Sequence, residues 1–151
     1  MSRIKGNLGV ERVVLAGVCQ FGKEAYYDIQ DIITSNSFSL DANQAIYKCI
    51  EKSLEKIDKL DVTSLLAASD SLGLSALLTK NKIDIEYIRS LFNFPIKLEN
   101  VRPHAKQLAK IEIIQKEQYA LMDAYNKLGE LDGTESISEI LGIPEEAIFE
   151  V

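Results

Sequence analysis

The chain has no tryptophan, a single histidine, two cysteines and three prolines in 151 residues. Each scarcity excludes something. One histidine and two separated cysteines, Cys19 and Cys49, offer no zinc-ligand spacing, so no metal site is expected. Two cysteines inside helical patterns suit reduced core residues of a cytoplasmic protein better than a disulfide framework. The start, Met1 to Gly9, is polar and basic and lacks a signal-peptide pattern, and no apolar run approaches transmembrane length. Neither secretion nor a membrane location is expected.

Charge is scarce in one sign at one end. Residues 129–151 carry seven acidic residues and no lysine or arginine, whereas residues 1–96 have 11 basic against 12 acidic and residues 97–128 have 6 against 4. The overall net charge of −6 argues against a surface that grips phosphate backbones. No basic run interleaved with aromatics suggests single-strand binding, so no direct contact with nucleic acid is expected.

What is present is helical periodicity. Leu8 to Val18 is a helix candidate, although its β-branched content makes a strand the competing reading. Gln20 to Gly22 reads as a turn, and Lys23 to Thr34 as a second helix. Ser35 to Ser39 reads as a loop around Phe38. Asp41, with Gln44 three residues on, has capping-box spacing for a helix to about Ile57. Asp61 can cap a helix ending at Gly73, and Asp84 one from Ile85 to Phe92. The longest segment is Val101 to Leu128, capped by Asn100, with Pro103 tolerated in its first turn. Its second half is apolar around most of its circumference, through Ile113, Ile114, Tyr119, Leu121, Met122 and Tyr125. Such a helix needs cover on several sides, which points to a partner subunit. Gly129 to Glu135 reads as a linker, and Ser136 with Glu139 as a further capping box. Gly142 and Pro144 then interrupt a short apolar stripe. An element order in which helix is the preferred reading of each segment makes the fold class all-α.

Gly17-Val-Cys-Gln-Phe-Gly22-Lys23 fits the spacing of a phosphate-binding P-loop. Glu24 follows where the motif needs Ser or Thr for magnesium, and no later segment supplies the parallel sheet. A helix–turn–helix junction is the preferred reading, and a nucleotide-binding protein using Gly17 to Lys23 the less favoured alternative. His104 is expected to be exposed or satisfied locally, and Glu145-Glu146 to be solvated. No catalytic residue, cofactor or nucleophile elbow is expected.

Several segments resemble the N-terminal domain and linker of DnaB-type replicative DNA helicases. Asn7-Leu8, Glu11 and Val14-Leu15 are similar to that family's opening motif. Phe38 followed by the helix through Ile46, Tyr47 and Ile50 resembles its Phe-plus-helix segment. Asp61-Val-Thr63 to Leu72-Gly73 and Asn100-Val101 to Ala105, with Leu108 and Lys110, match two further stretches. Glu145-Glu146-Ala-Ile148-Phe149-Glu-Val151 resembles its linker helix. Arg102-Pro103-His104 departs from the usual aromatic-rich turn, and the low aromatic content would suit a phage-encoded member.

The resemblance implies an all-α head at about residues 1–82 and a long helical hairpin at about 83–128, together a collar domain over 1–128. A linker segment and linker helix follow over 129–151, and the motor domain is absent. It implies a non-catalytic assembly and protein-interaction module of a hexameric helicase. Hairpins pair, three dimers form a collar, and the collar helps to recruit primase or a helicase loader in the primosome. The hairpin contacts expected are Leu91, Phe92, Phe94, Ile113, Ile114, Tyr119 and Met122. Those expected to dock the linker helix on a neighbouring motor are Ile140, Ile148, Phe149 and Val151. The alternative is a stand-alone regulator or mimic of a helicase collar.

Overall fold

The computed structural model describes residues 6–78 and 82–149. Among them lie eight α-helices and no strand: α1 Leu8–Phe21, α2 Lys23–Ile29, α3 Asp41–Leu54, α4 Val62–Leu72, α5 Ser75–Leu78, α6 Lys82–Leu91, α7 Val101–Gly129 and α8 Ile137–Phe149. The chain divides into two compact units, one spanning Gly6–Ala109 and one taking in Lys110–Val151.

The first unit is built around α1. Its N-terminus is capped by Asn7, whose Oδ1 accepts from the Val10 N–H at 3.1 Å. Val10, Val14, Leu15, Ala16, Val18 and Cys19 are all buried. The segment's β-branched residues favour a strand by local preference alone. Packing against α2, α3 and α6 outweighs that preference and selects the helix. Cys19 and Cys49 are buried free thiols, and burial pushes both above the ordinary range, Cys49 to about 11.

Phe38, expected in a loop, is 1% exposed and packs its ring 5.1 Å from that of Tyr47. The segment before it forms a 3-10 turn, Ser35–Ser37, closed by reciprocal hydrogen bonds between Thr34 and Ser37. Tyr47 is equally buried, and among the described residues its hydroxyl has no hydrogen-bond partner. A buried hydroxyl left unpaired gives up its hydration without return. Tyr47→Phe is therefore expected to be neutral or stabilising by up to about 1 kcal/mol in urea denaturation. A loss of that size would show that the hydroxyl is bonded in solution.

Two cap assignments differ from the sequence reading. Asp41 does not cap α3: it is the first helical residue, Leu40 is the cap position, and no side chain bonds there. Gln44 reaches back to the Phe38 carbonyl at 2.7 Å instead, because the buried Phe38 draws the preceding backbone over the helix end. Asp84 lies within the first turn of α6 rather than ahead of it. Asp61 behaves as expected, accepting from the Ser64 N–H at 2.7 Å, and α4 ends at Gly73 with φ +70°. These bonds from the Ser64 backbone and side chain hold the Asp61 carboxyl below its ordinary value. A lowered folded-state pKa contributes stability above the ordinary aspartate range, and that contribution is lost as pH falls through the folded value. The melting-temperature gap between the wild type and Asp61→Ala should thus be full at pH 6 and shrink below about pH 3.9.

In the second unit, α8 runs through Gly142 and Pro144 without a break. The sequence left open whether these two residues break the helix, and they do not. Proline denies the Ile140 carbonyl its partner, at a cost of about 3 kcal/mol in an ordinary helix. Ser136 starts the helix, its Oγ accepting from the Glu139 N–H at 3.2 Å.

Candidate interaction surface

The P-loop look-alike has no loop. Gly17 to Phe21 lie within α1, so their N–H groups point along the helix axis and cannot cradle a phosphate. Both glycines have packing reasons. A Cβ on Gly17 would clash with Val101, and one on Gly22, at φ +64°, would clash with the Asp58 carbonyl. Lys23 donates its backbone N–H to that same carbonyl at 3.1 Å and its ammonium to the Asp58 carboxyl at 2.9 Å. Millimolar ATP with magnesium is accordingly expected to leave the melting temperature unchanged, since a ligand of the folded state must raise it. A rise abolished by Lys23→Ala would contradict this reading.

His104 is tied locally, its Nδ1 2.7 Å from the Asn100 carbonyl. Asn100 itself belongs to a 3-10 turn, Leu98–Asn100, that leads into α7. Among the described residues no group of three His, Cys, Asp or Glu side chains could hold a metal ion, and no helix is long and apolar enough to cross a membrane.

The polar chemistry of the first unit is turned inward. Glu11 is completely buried and accepts from the Ser39 N–H, the Ser39 hydroxyl and the Asn43 amide at 3.2, 2.6 and 3.0 Å. Asn43 in turn accepts from the Tyr87 hydroxyl at 2.8 Å, which ties α1, α3 and α6 together. Gln20 holds the chain after α6 by donating to the carbonyls of Leu91 and Phe94.

The expected contact residues fall into two groups. Leu91 is fully buried in the core of the first unit, beside Ile88 and α1, so it has no surface to offer a partner. This corrects its place in the expected contact set: a side chain that already fills its own core cannot also fill a partner's. Phe92 and Phe94 are half-buried against the same core, Phe94 with the Arg12 guanidinium 4.7 Å from its ring centre. α6 is thus part of the compact unit that runs to Ala109. Ile113, Ile114 and Tyr119 are exposed at 55%, 42% and 62%, and Met122 is half-buried. In α8, Ile140 is half-buried and Ile148 exposed, while the Phe149 side chain and Val151 lie outside the described residues.

The exposure pattern adds residues that the circumference argument did not order. Leu121, Tyr125 and Leu128 are also exposed. Ile114, Gln118, Leu121, Tyr125 and Leu128 recur at alternating steps of four and three, which is a coiled-coil seam spread over roughly 80° of the helix. The intrahelical ion pairs Glu112–Lys116 and Asp123–Lys127, at 3.2 and 3.0 Å, lie on the opposite side. The signal was present in the seven-residue spacing of Ile114, Leu121 and Leu128. Ile113 lies one residue, about 100°, away from that line.

An all-helical domain of this kind, with its polar groups bonded within the core and its apolar residues set along helix faces, offers surfaces for other helices. The model of the DnaB-like helicase N terminal domain matches residues 4–110, and the chain belongs to that family. The fold is similar to the crystal structure of the N-terminal domain of DnaB helicase from Mycobacterium tuberculosis. The TM-score is 0.79 at 19% identity, over 96% of this chain and 97% of that one. No curated protein matches the chain.

Proposed function

We propose that this helicase N-terminal module acts as a non-catalytic assembly unit of a hexameric replicative DNA helicase. Two copies pair through the 110–128 part of α7, three such dimers form a collar, and the collar recruits primase or a helicase loader. Residues 129–151 serve as the linker, with Ile140, Ile148, Phe149 and Val151 turned to a neighbouring motor domain. The observation that supports this best is the exposed seam of Ile114, Leu121, Tyr125 and Leu128. Soluble monomers seldom leave a continuous apolar stripe in water. Gln118 within it would set the register of pairing, as single polar residues at core positions of coiled coils do.

Sedimentation of the chain over a wide concentration range tests the pairing. The expected result is a monomer–dimer equilibrium. A monomer at every concentration, up to the millimolar range, would refute it. A pull-down of primase or loader by the dimer tests recruitment separately.

A further inference from the structure

The first unit carries a cleft that the proposed pairing does not use. It has a volume of about 440 Å³ and is walled by Leu8 and Arg12 of α1, Leu40 and Asn43 at the start of α3, and Asp84 and Tyr87 of α6. The small residues Gly9 and Ala42 leave it open. Its size lies toward the low end of ligand pockets, roughly 300–1,000 Å³.

Two features give the cleft a chemistry. Its rim holds two leucines in water, Leu8 at 52% and Leu40 at 44% exposure. Its cation is unpaired: Arg12 donates to the Ser90 hydroxyl at 3.3 Å and lies over Phe94, yet among the described residues it has no ion-pair partner. Among the described residues its buried Nε has no acceptor. A half-buried guanidinium left this way is incompletely satisfied, and a carboxylate is the group that matches its fork of donors. Asp84 on the opposite wall disfavours a bare polyanion.

We infer that this cleft docks a short acidic–aliphatic segment of a partner protein, with an aliphatic side chain between Leu8 and Leu40 and the neighbouring carboxylate on Arg12. The inference rests on the reading of the chain as a recruiting module and names where the head takes hold and of what chemistry.

The test is fluorescence anisotropy of the labelled peptide Gly-Asp-Leu-Leu-Glu-Gly against the full chain, with amide chemical shifts locating the contact. Saturable binding is expected, with shifts at Leu8, Arg12, Leu40 and Asn43. Arg12→Met, which keeps an apolar stem over Phe94, should weaken binding about tenfold, the worth of one charge-assisted contact. Ala42→Leu, which fills the cleft from a half-exposed position, should abolish it, and so should serine in place of both peptide leucines. No saturation at millimolar peptide would overturn the inference. So would binding that survives Ala42→Leu, which would mark a non-specific surface contact. Neither position lies in the 110–128 segment proposed to pair, so sedimentation should remain as in the wild type. Peptide binding without pairing would overturn the collar reading alone, and pairing without peptide binding the cleft alone.

Discussion

Glu11→Ala is expected to cost the first unit about 3–5 kcal/mol, the largest single-residue loss anticipated in this chain. Glu11 is completely buried and accepts from three donors, two on Ser39 and one on Asn43. Truncation leaves the buried Asn43 amide without this acceptor, at roughly 1–3 kcal/mol, and opens a cavity in the core, at about 2–3 kcal/mol more. The loss spreads because Asn43 also positions Tyr87, so α1, α3 and α6 share the network. Domains of this size hold only about 5–15 kcal/mol of stability, so a drop of ten degrees or more in melting temperature should be plain by circular dichroism. Should the alanine variant fail to fold, Glu11→Gln reads the same network, since its amide oxygen replaces one acceptor and its amide nitrogen opposes a donor. A loss below about 1 kcal/mol for both variants would show that the network is dispensable.

The second large effect concerns association. Ile114→Asp should yield a folded monomer, its pairing weakened at least about a hundredfold, or roughly 2.7 kcal/mol. The side chain is 42% exposed in the single chain, so at dilutions where the wild type is monomeric the substitution should leave the melting temperature nearly unchanged. In a seam it would bury an unpaired carboxylate against the partner's apolar residues. Leu121→Asp should act alike. Ile113→Asp is the informative control, because Ile113 is also exposed but lies off the seam. Sedimentation of the three variants side by side decides the matter. Equal loss in all three would mean that the whole circumference is used, and no loss in any that α7 does not pair.

How far these outcomes could be read from the residues differs from element to element. Asp61 and Gly73 bounded α4 correctly because both signals act within a few residues: an aspartate bonds the third N–H onward, and glycine accepts the left-handed turn. Asp41 misled because the same local signal competes with tertiary packing. Phe38 sinks into the core and brings its own carbonyl to Gln44, and the capping bond is never made. The apolar circumference of α7 was legible, and so was the seven-residue spacing within it, but which of its apolar residues stay exposed came only with the packed structure.

Periodicity and the sparse histidine and cysteine determined by themselves a predominantly helical chain without a metal-ligand pattern, and Glu24 already spoke against a phosphate loop. Only the tertiary structure decided that α1 is helical despite its valines, and that Gly17 and Gly22 make room for Val101 and the Asp58 carbonyl. It also decided that Leu91 is core while Ile114 is surface. The physical reason is common to all of these. Local preferences differ by tenths of a kcal/mol per residue, about 0.7 at most among ordinary residues. Burying a side chain such as leucine is worth about 1.5–3 kcal/mol. Which residues are buried together depends on segments tens of residues apart, and no window along the chain contains that information.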